Sequence, residues 1–206
     1  MSVKVKICGI TNASDAAVAV EAGADMLGFI FCESSPRRIT PAAAAEIIRT
    51  LPPFVVKVGV FVNASEEMVV SAIADCGLNL LQFHGEESPE YCSQFGLMSM
   101  KAFRIRDADS LKALRQYPTD AWLLDAFSPD QCGGTGETFN WNLAVEAKAL
   151  GRPIVLAGGL TPDNVAEAIR VVQPYAVDVS SGVESAPGRK DHAKVRAFIR
   201  AARNEA

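Results

Sequence analysis

The chain repeats one pattern eight times: a short apolar, β-rich run, then an Ala-rich segment with apolar residues at helical spacing. The runs are VKVKIC (3–8), MLGFIF (26–31), VVKVGVF (55–61), LNLLQF (78–83), MSMKAFRI (98–105), AWLLDAF (121–127), PIVLAG (153–158) and AVDVSS (176–181). Helical spacing falls at 12–22, 41–50, 65–76, 88–95, 107–116, 140–150, 162–172 and 190–203. Thr40-Pro41, Ser88-Pro89 and Thr161-Pro162 each set an N-cap residue before a proline at the first helical position. Gly23, Gly77, Gly96 and Gly151 stand where helices should stop. Strands alternating with helices imply a parallel sheet with right-handed crossovers. Eight such units closing on themselves make an α/β fold of one kind, the (β/α)8 or TIM barrel. A doubly wound open sheet is the competing arrangement, but no Gly-rich dinucleotide turn follows the first run.

No linker or low-complexity tract divides the 206 residues, so one domain over 1–206 is expected. The net charge of -4, without a basic block, argues against nucleic acid or an anionic membrane and for a small-molecule partner. No apolar run approaches the roughly 20 residues that span a bilayer. The five cysteines (8, 32, 76, 92 and 132) include no CxxC pair, so neither a disulfide framework nor a zinc site is indicated. With two histidines and no clustered ligand set, no metal is expected, and a reducing cytoplasm is the natural setting.

In a barrel of this kind the chemistry sits where the strands end. The run ends carry Cys8, then Arg37 and Arg38 in SPRR, His84 in QFHG, Lys101 and Arg104, and Asp125 in LLDAF. AGGLT and DVSSGVE close the seventh and eighth units. Gly158, Gly159, Ser180, Ser181 and Gly182 let backbone amides approach an anion, and a short helix begun at Gly182-Val183-Glu184 would aim its N-terminus at the same point. Glycines after strands are also ordinary turn residues, but two such loops after strands seven and eight point to phosphate. The CGGTG stretch at 132–136 offers a lid or further amides, and it matches no nucleotide-binding pattern. Asp125 in an apolar strand reads either as a carboxylate satisfied by a neighbour or as a general acid raised by partial burial. Cys8 reads either as a small core residue or as a base, which requires a thiol lowered by nearby arginines or helix N-termini.

Taken in order, KICGIT, SPRRIT, LLQFHGEE, LLDAF, GGTGETFNW, LAGGLTPDNV and DVSSGVESAPGRKD resemble the phosphoribosylanthranilate isomerase family of tryptophan biosynthesis, from residue 4 to about residue 200. The resemblance implies an Amadori rearrangement of N-(5-phosphoribosyl)anthranilate with no cofactor, Asp125 as general acid and Cys8 as general base. It further implies that Arg37 meets the anthranilate carboxylate, that Asp178 lies near the ribose hydroxyls, and that the two glycine loops hold the phosphate. His84 is a substrate contact or a hydrogen-bonded scaffold residue. Phe83, where an aliphatic residue is expected, should affect packing only. The oligomeric state is left as monomer or homodimer. Two other readings compete: a phosphate-binding barrel of the synthase or epimerase type, and a non-catalytic sugar-phosphate binder.

Overall fold

Each strand has two faces, and their burial decides how the sheet closes. The computed structural model describes residues 2–126 and 141–204. Its strands are β1 (Lys4–Cys8), β2 (Met26–Ile30), β3 (Val56–Phe61), β4 (Leu80–Phe83), β5 (Met98–Ile105), β6 (Ala121–Ala126), β7 (Ile154–Ala157) and β8 (Ala176–Val179). Each pairs in parallel with the next and β8 returns to β1, giving a closed eight-stranded barrel. Both faces are buried, as an all-parallel sheet requires. One set, including Val58, Met100, Leu123 and Val155, fills the barrel interior. The alternate set, including Ile7, Phe29, Leu81 and Leu156, packs outward against the helices. Phe83 belongs to that outer set, stacks with Phe95 (5.7 Å between centroids) and meets Phe61 at a tilt (6.2 Å).

The helices follow the capping chemistry written into the chain. α1 (Ala13–Ala22) is capped by the Asn12 side chain and stopped by Gly23 at φ 102°. α2 (Pro41–Ile48) is capped by Thr40, α3 (Glu66–Cys76) by Ser65, and α4 (Pro89–Ser93) by Ser88. α5 (Trp141–Lys148), α6 (Val165–Val172) and α7 (His192–Asn204) complete the outer layer.

Three expectations are corrected. The crossover after β5 winds as a 3-10 helix over Ala108–Gln116. At about 2.0 Å rise per residue it covers more distance than an α-helix, and Tyr117 must turn extended before Pro118. Thr161-Pro162 does not begin α6, whose N-cap is Asn164; the Asn164 carboxamide instead accepts from the Thr161 amide and donates to the Gly159 carbonyl, bracing the β7 loop. Gly182-Val183-Glu184 does not open a helix. One 3-10 turn, Ser181–Val183, leads into a hairpin of β9 (Glu184–Ala186) and β10 (Arg189–Lys190), because Glu184 is drawn back to Arg37 and Lys190.

Candidate active site

Parity along the strands brings the reactive side chains to one mouth. Lys6 and Cys8 share the inner face of β1, Gln82 and His84 that of β4, and Asp178 and Ser180 that of β8. A cavity of about 780 Å³ at the C-terminal end of the strands is lined by Cys8, Arg37, His84 and Asp125. Asp178 and the loop residues Gly158, Gly159, Ser180, Ser181 and Gly182 line it as well. Every candidate residue therefore reaches one space. Arg38 is exposed and does not line it. The CGGTG stretch lies outside the described residues.

Cys8 sits above a buried ion pair. Lys6 Nζ lies 2.9 Å from Asp178 Oδ1, with side-chain exposures of 0 % and 10 %. Burial pulls the Lys6 ammonium down, and Asp178 with Cys8 more than offsets it, leaving Lys6 raised. For Cys8, burial pushes the thiol up; the Lys6 ammonium opposes this and Asp178 adds to it. The net shift is upward, opposite to the lowering that arginines or helix ends would produce, because the thiol is buried and its cation is shared with a carboxylate. Gly28 makes the arrangement possible. A Cβ there would stand 2.7 Å from the Cys8 sulfur and 3.2 Å from Lys6 Nζ. Gly9, at φ 75°, likewise leaves room for the Arg37 side chain and the Ser180 hydroxyl.

Asp125 is held from the neighbouring strands. His84 Nε2 lies 3.2 Å from its Oδ2, and the Gln82 amide nitrogen lies 3.0 Å from His84 Nδ1. With the amide donating to Nδ1, the imidazole carries its proton on Nε2 and gives it to Asp125. The loop beneath His84 is pinned by Lys101, on the outward face of β5, whose ammonium donates to the Gly85 carbonyl (2.6 Å) and to Glu87 (3.3 Å). Lys101 is thus a support for the site and not part of its lining.

Arg37 makes a fork with Glu184: Nε at 2.9 Å and 3.0 Å from the two oxygens, Nη2 at 2.8 Å. Lys190 joins the same carboxylate at 2.9 Å. Burial pushes the Glu184 carboxyl up, but hydrogen bonds from Arg37 and Lys190 outweigh it and the group is held below the ordinary glutamate range. Across the mouth, Gly158 (φ 85°) and Gly159 (φ 65°) adopt left-handed backbone that favours glycine. At Gly182 a Cβ would collide with the Leu160 carbonyl, so the β7 and β8 loops meet backbone to backbone.

Two glycine loops, a thiol and a carboxylate at one barrel mouth invite comparison with known barrels. Residues 5–201 match the family model of N-(5'phosphoribosyl)anthranilate (PRA) isomerase. The chain belongs to the phosphoribosylanthranilate isomerase family. It is an isomerase of tryptophan biosynthesis. The isomerase of Trichlorobacter lovleyi is 60 % identical over 201 residues, covering 98 % of each chain. That of Citrifermentans bemidjiense is 63 % identical over 196 residues, covering 95 % of each. Among solved structures, the phosphoribosyl anthranilate isomerase of Thermotoga maritima superposes with a TM-score of 0.91 at 44 % identity, covering 98 % of this chain and 99 % of that one. Another family structure, at 42 % identity and a TM-score of 0.88, holds reduced 1-(o-carboxyphenylamino)-1-deoxyribulose 5-phosphate and covers 98 % of this chain and 99 % of that one.

Sequence reasoning missed the supports of this candidate site. Lys6 lies two residues before Cys8, so strand parity alone puts it on the same face. Nothing in the sequence pairs it with Asp178, its register partner 172 residues away. Glu184 was read as part of a helix start, and its role as the partner of Arg37 depends on the β9–β10 hairpin.

Proposed function

We propose that Asp125 and Cys8 are the acid and base of the rearrangement. The observation that carries the assignment is that both line the cavity that also contains the β7 and β8 glycine loops. In this reading the loops hold the 5-phosphate through backbone amides, Asp178 meets the ribose hydroxyls, and the remaining Nη1 donors of Arg37 meet the anthranilate carboxylate. Protonated Asp125 gives its proton to the furanose ring oxygen. The C1–O bond breaks, and the nitrogen lone pair forms the C=N bond of an iminium ion. Cys8, as thiolate, then removes the C2 proton, and the C–H electrons move toward the cationic nitrogen to give the enolamine. Tautomerisation yields the aminoketose. The substrate nitrogen is the electron sink, so no cofactor is invoked. His84 acts as a positioning residue, with Gln82 fixing its tautomer. The Lys6 ammonium supports the thiolate against burial, and the developing iminium charge favours it further.

The test follows loss of phosphoribosylanthranilate fluorescence with purified protein. Cys8→Ser and Asp125→Asn are expected to lower turnover at least ~100-fold, with little change in affinity for a phosphorylated ligand. Near-native rates in both variants would remove the acid–base assignment. The four described cysteines are free thiols, which supports a cytoplasmic setting. No helix among the described residues is long and apolar enough to cross a membrane. The assembly is read as monomer or homodimer, the latter because one solved relative is described as dimeric. Sedimentation decides between them.

A further inference from the structure

The inner face of β5 runs Met100, Ala102, Arg104. The first two are buried in the barrel interior, and the third continues the same parity to the rim of the catalytic cavity. Arg104 is exposed and stands in register with Asp125 on β6. Among the described residues nothing takes its guanidinium in a hydrogen bond or ion pair. The other cations in and below this mouth are committed: Arg37 to Glu184, Lys6 to Asp178 and Lys190 to Glu184.

The substrate carries two anionic groups at opposite ends, a phosphate and an aryl carboxylate. The phosphate is assigned to the loops after β7 and β8, and this inference rests on that assignment. β5 stands two strands from β7 and three from β8 in the cyclic order, so a cation there flanks the cradle on one side as Arg37, after β2, flanks it on the other. A planar carboxylate is bound best by an intact two-pronged guanidinium. Arg37 has already given Nε and Nη2 to Glu184, whereas Arg104 gives no prong of its fork to any of the described residues.

We propose that Arg104 is a second binding residue for the aryl carboxylate, opposite Arg37, and that it selects carboxylated aryl substrates. A guanidinium on this rim also draws an anionic substrate toward a chain whose net charge is -4. The role is binding and orientation; no proton passes through it.

Calorimetry with two ligands tests the proposal: reduced 1-(2-carboxyphenylamino)-1-deoxyribulose 5-phosphate, and its phenylamino counterpart without the carboxyl group. Arg104→Gln is expected to weaken the first about tenfold or more and leave the second unchanged. Arg104→Lys should recover part of the loss. In turnover, KM should rise while kcat stays within about threefold, and the melting temperature should not move because the side chain is exposed. Equal weakening of both ligands, or no weakening of the first, overturns the proposal. Ribose 5-phosphate reports on the cradle separately. If it fails to compete with either ligand, the phosphate assignment falls, while the two-ligand comparison still judges Arg104.

Discussion

Lys6 and Asp178 allow two substitutions with the same effect on stability and opposite effects on the Cys8 thiol. Both side chains are almost without solvent, and their charges lie 2.9 Å apart. Lys6→Met strands a carboxylate in the barrel interior, and Asp178→Asn strands an ammonium. Removing one member of a buried pair costs about 3–5 kcal/mol, mostly as the penalty on the charge left behind. For a chain of this size 1 kcal/mol moves Tm by roughly 2–4 °C, so each variant should melt about 6–20 °C lower. The thiol should respond with opposite signs. Burial raises Cys8, Lys6 lowers it and Asp178 raises it. Without Lys6 the thiolate loses its cation, and the titration moves up. Without Asp178 the ammonium keeps the sulfur as its anionic partner, and the titration moves down. Alkylation of Cys8, followed against pH by peptide mass spectrometry, separates it from the other thiols. Equal displacement in both variants, or two variants as stable as the parent, would refute the electrostatic account. A double variant, Lys6→Met with Asp178→Leu, should recover much of the lost stability, because an apolar pair strands no charge.

Two further outcomes follow from the loops. Glu184 is held below its ordinary range by Arg37 and Lys190 despite burial. A carboxyl lowered in the folded state contributes fully above its unfolded value and loses that contribution as the pH falls through the folded one. The parent should therefore lose stability faster than Glu184→Gln between about pH 5 and pH 3, as measured by urea unfolding at each pH; parallel curves would contradict the pairing. Gly182→Ala would drive a methyl into the Leu160 carbonyl, separating the β7 and β8 loops. The expected loss is about 1–3 kcal/mol of stability, together with weaker binding of ribose 5-phosphate; an unchanged phosphate affinity would detach this contact from the cradle.

The strand and helix order was legible because barrel elements announce themselves locally. Apolar runs such as VVKVGVF, caps such as Thr40-Pro41, and stops such as Gly23 are decided within a few residues. Cys8, Asp125 and the glycine loops were legible for a related reason: the ends of parallel strands converge, so position in a strand predicts position in the site. The 3-10 crossover at Ala108–Gln116 was not, since its cap at Asp107 and its buried Leu111 and Leu114 would serve an α-helix equally well.

By itself, then, the sequence determined the eight-fold alternation, the barrel, the family and the residues that face the mouth. Tertiary structure alone decided what each of those residues touches. The sequence could not show that Lys6 would sit against Asp178 at the opposite end of the chain, or that Arg37 would be braced by Glu184 from a hairpin. It could not show that His84 would hold Asp125 across two intervening crossovers. Charge pairing in a barrel interior depends on strand register and on dry geometry, and neither is encoded in any local stretch. That is why Cys8 could be found by pattern, while the direction of its thiol pKa required the residues beneath it.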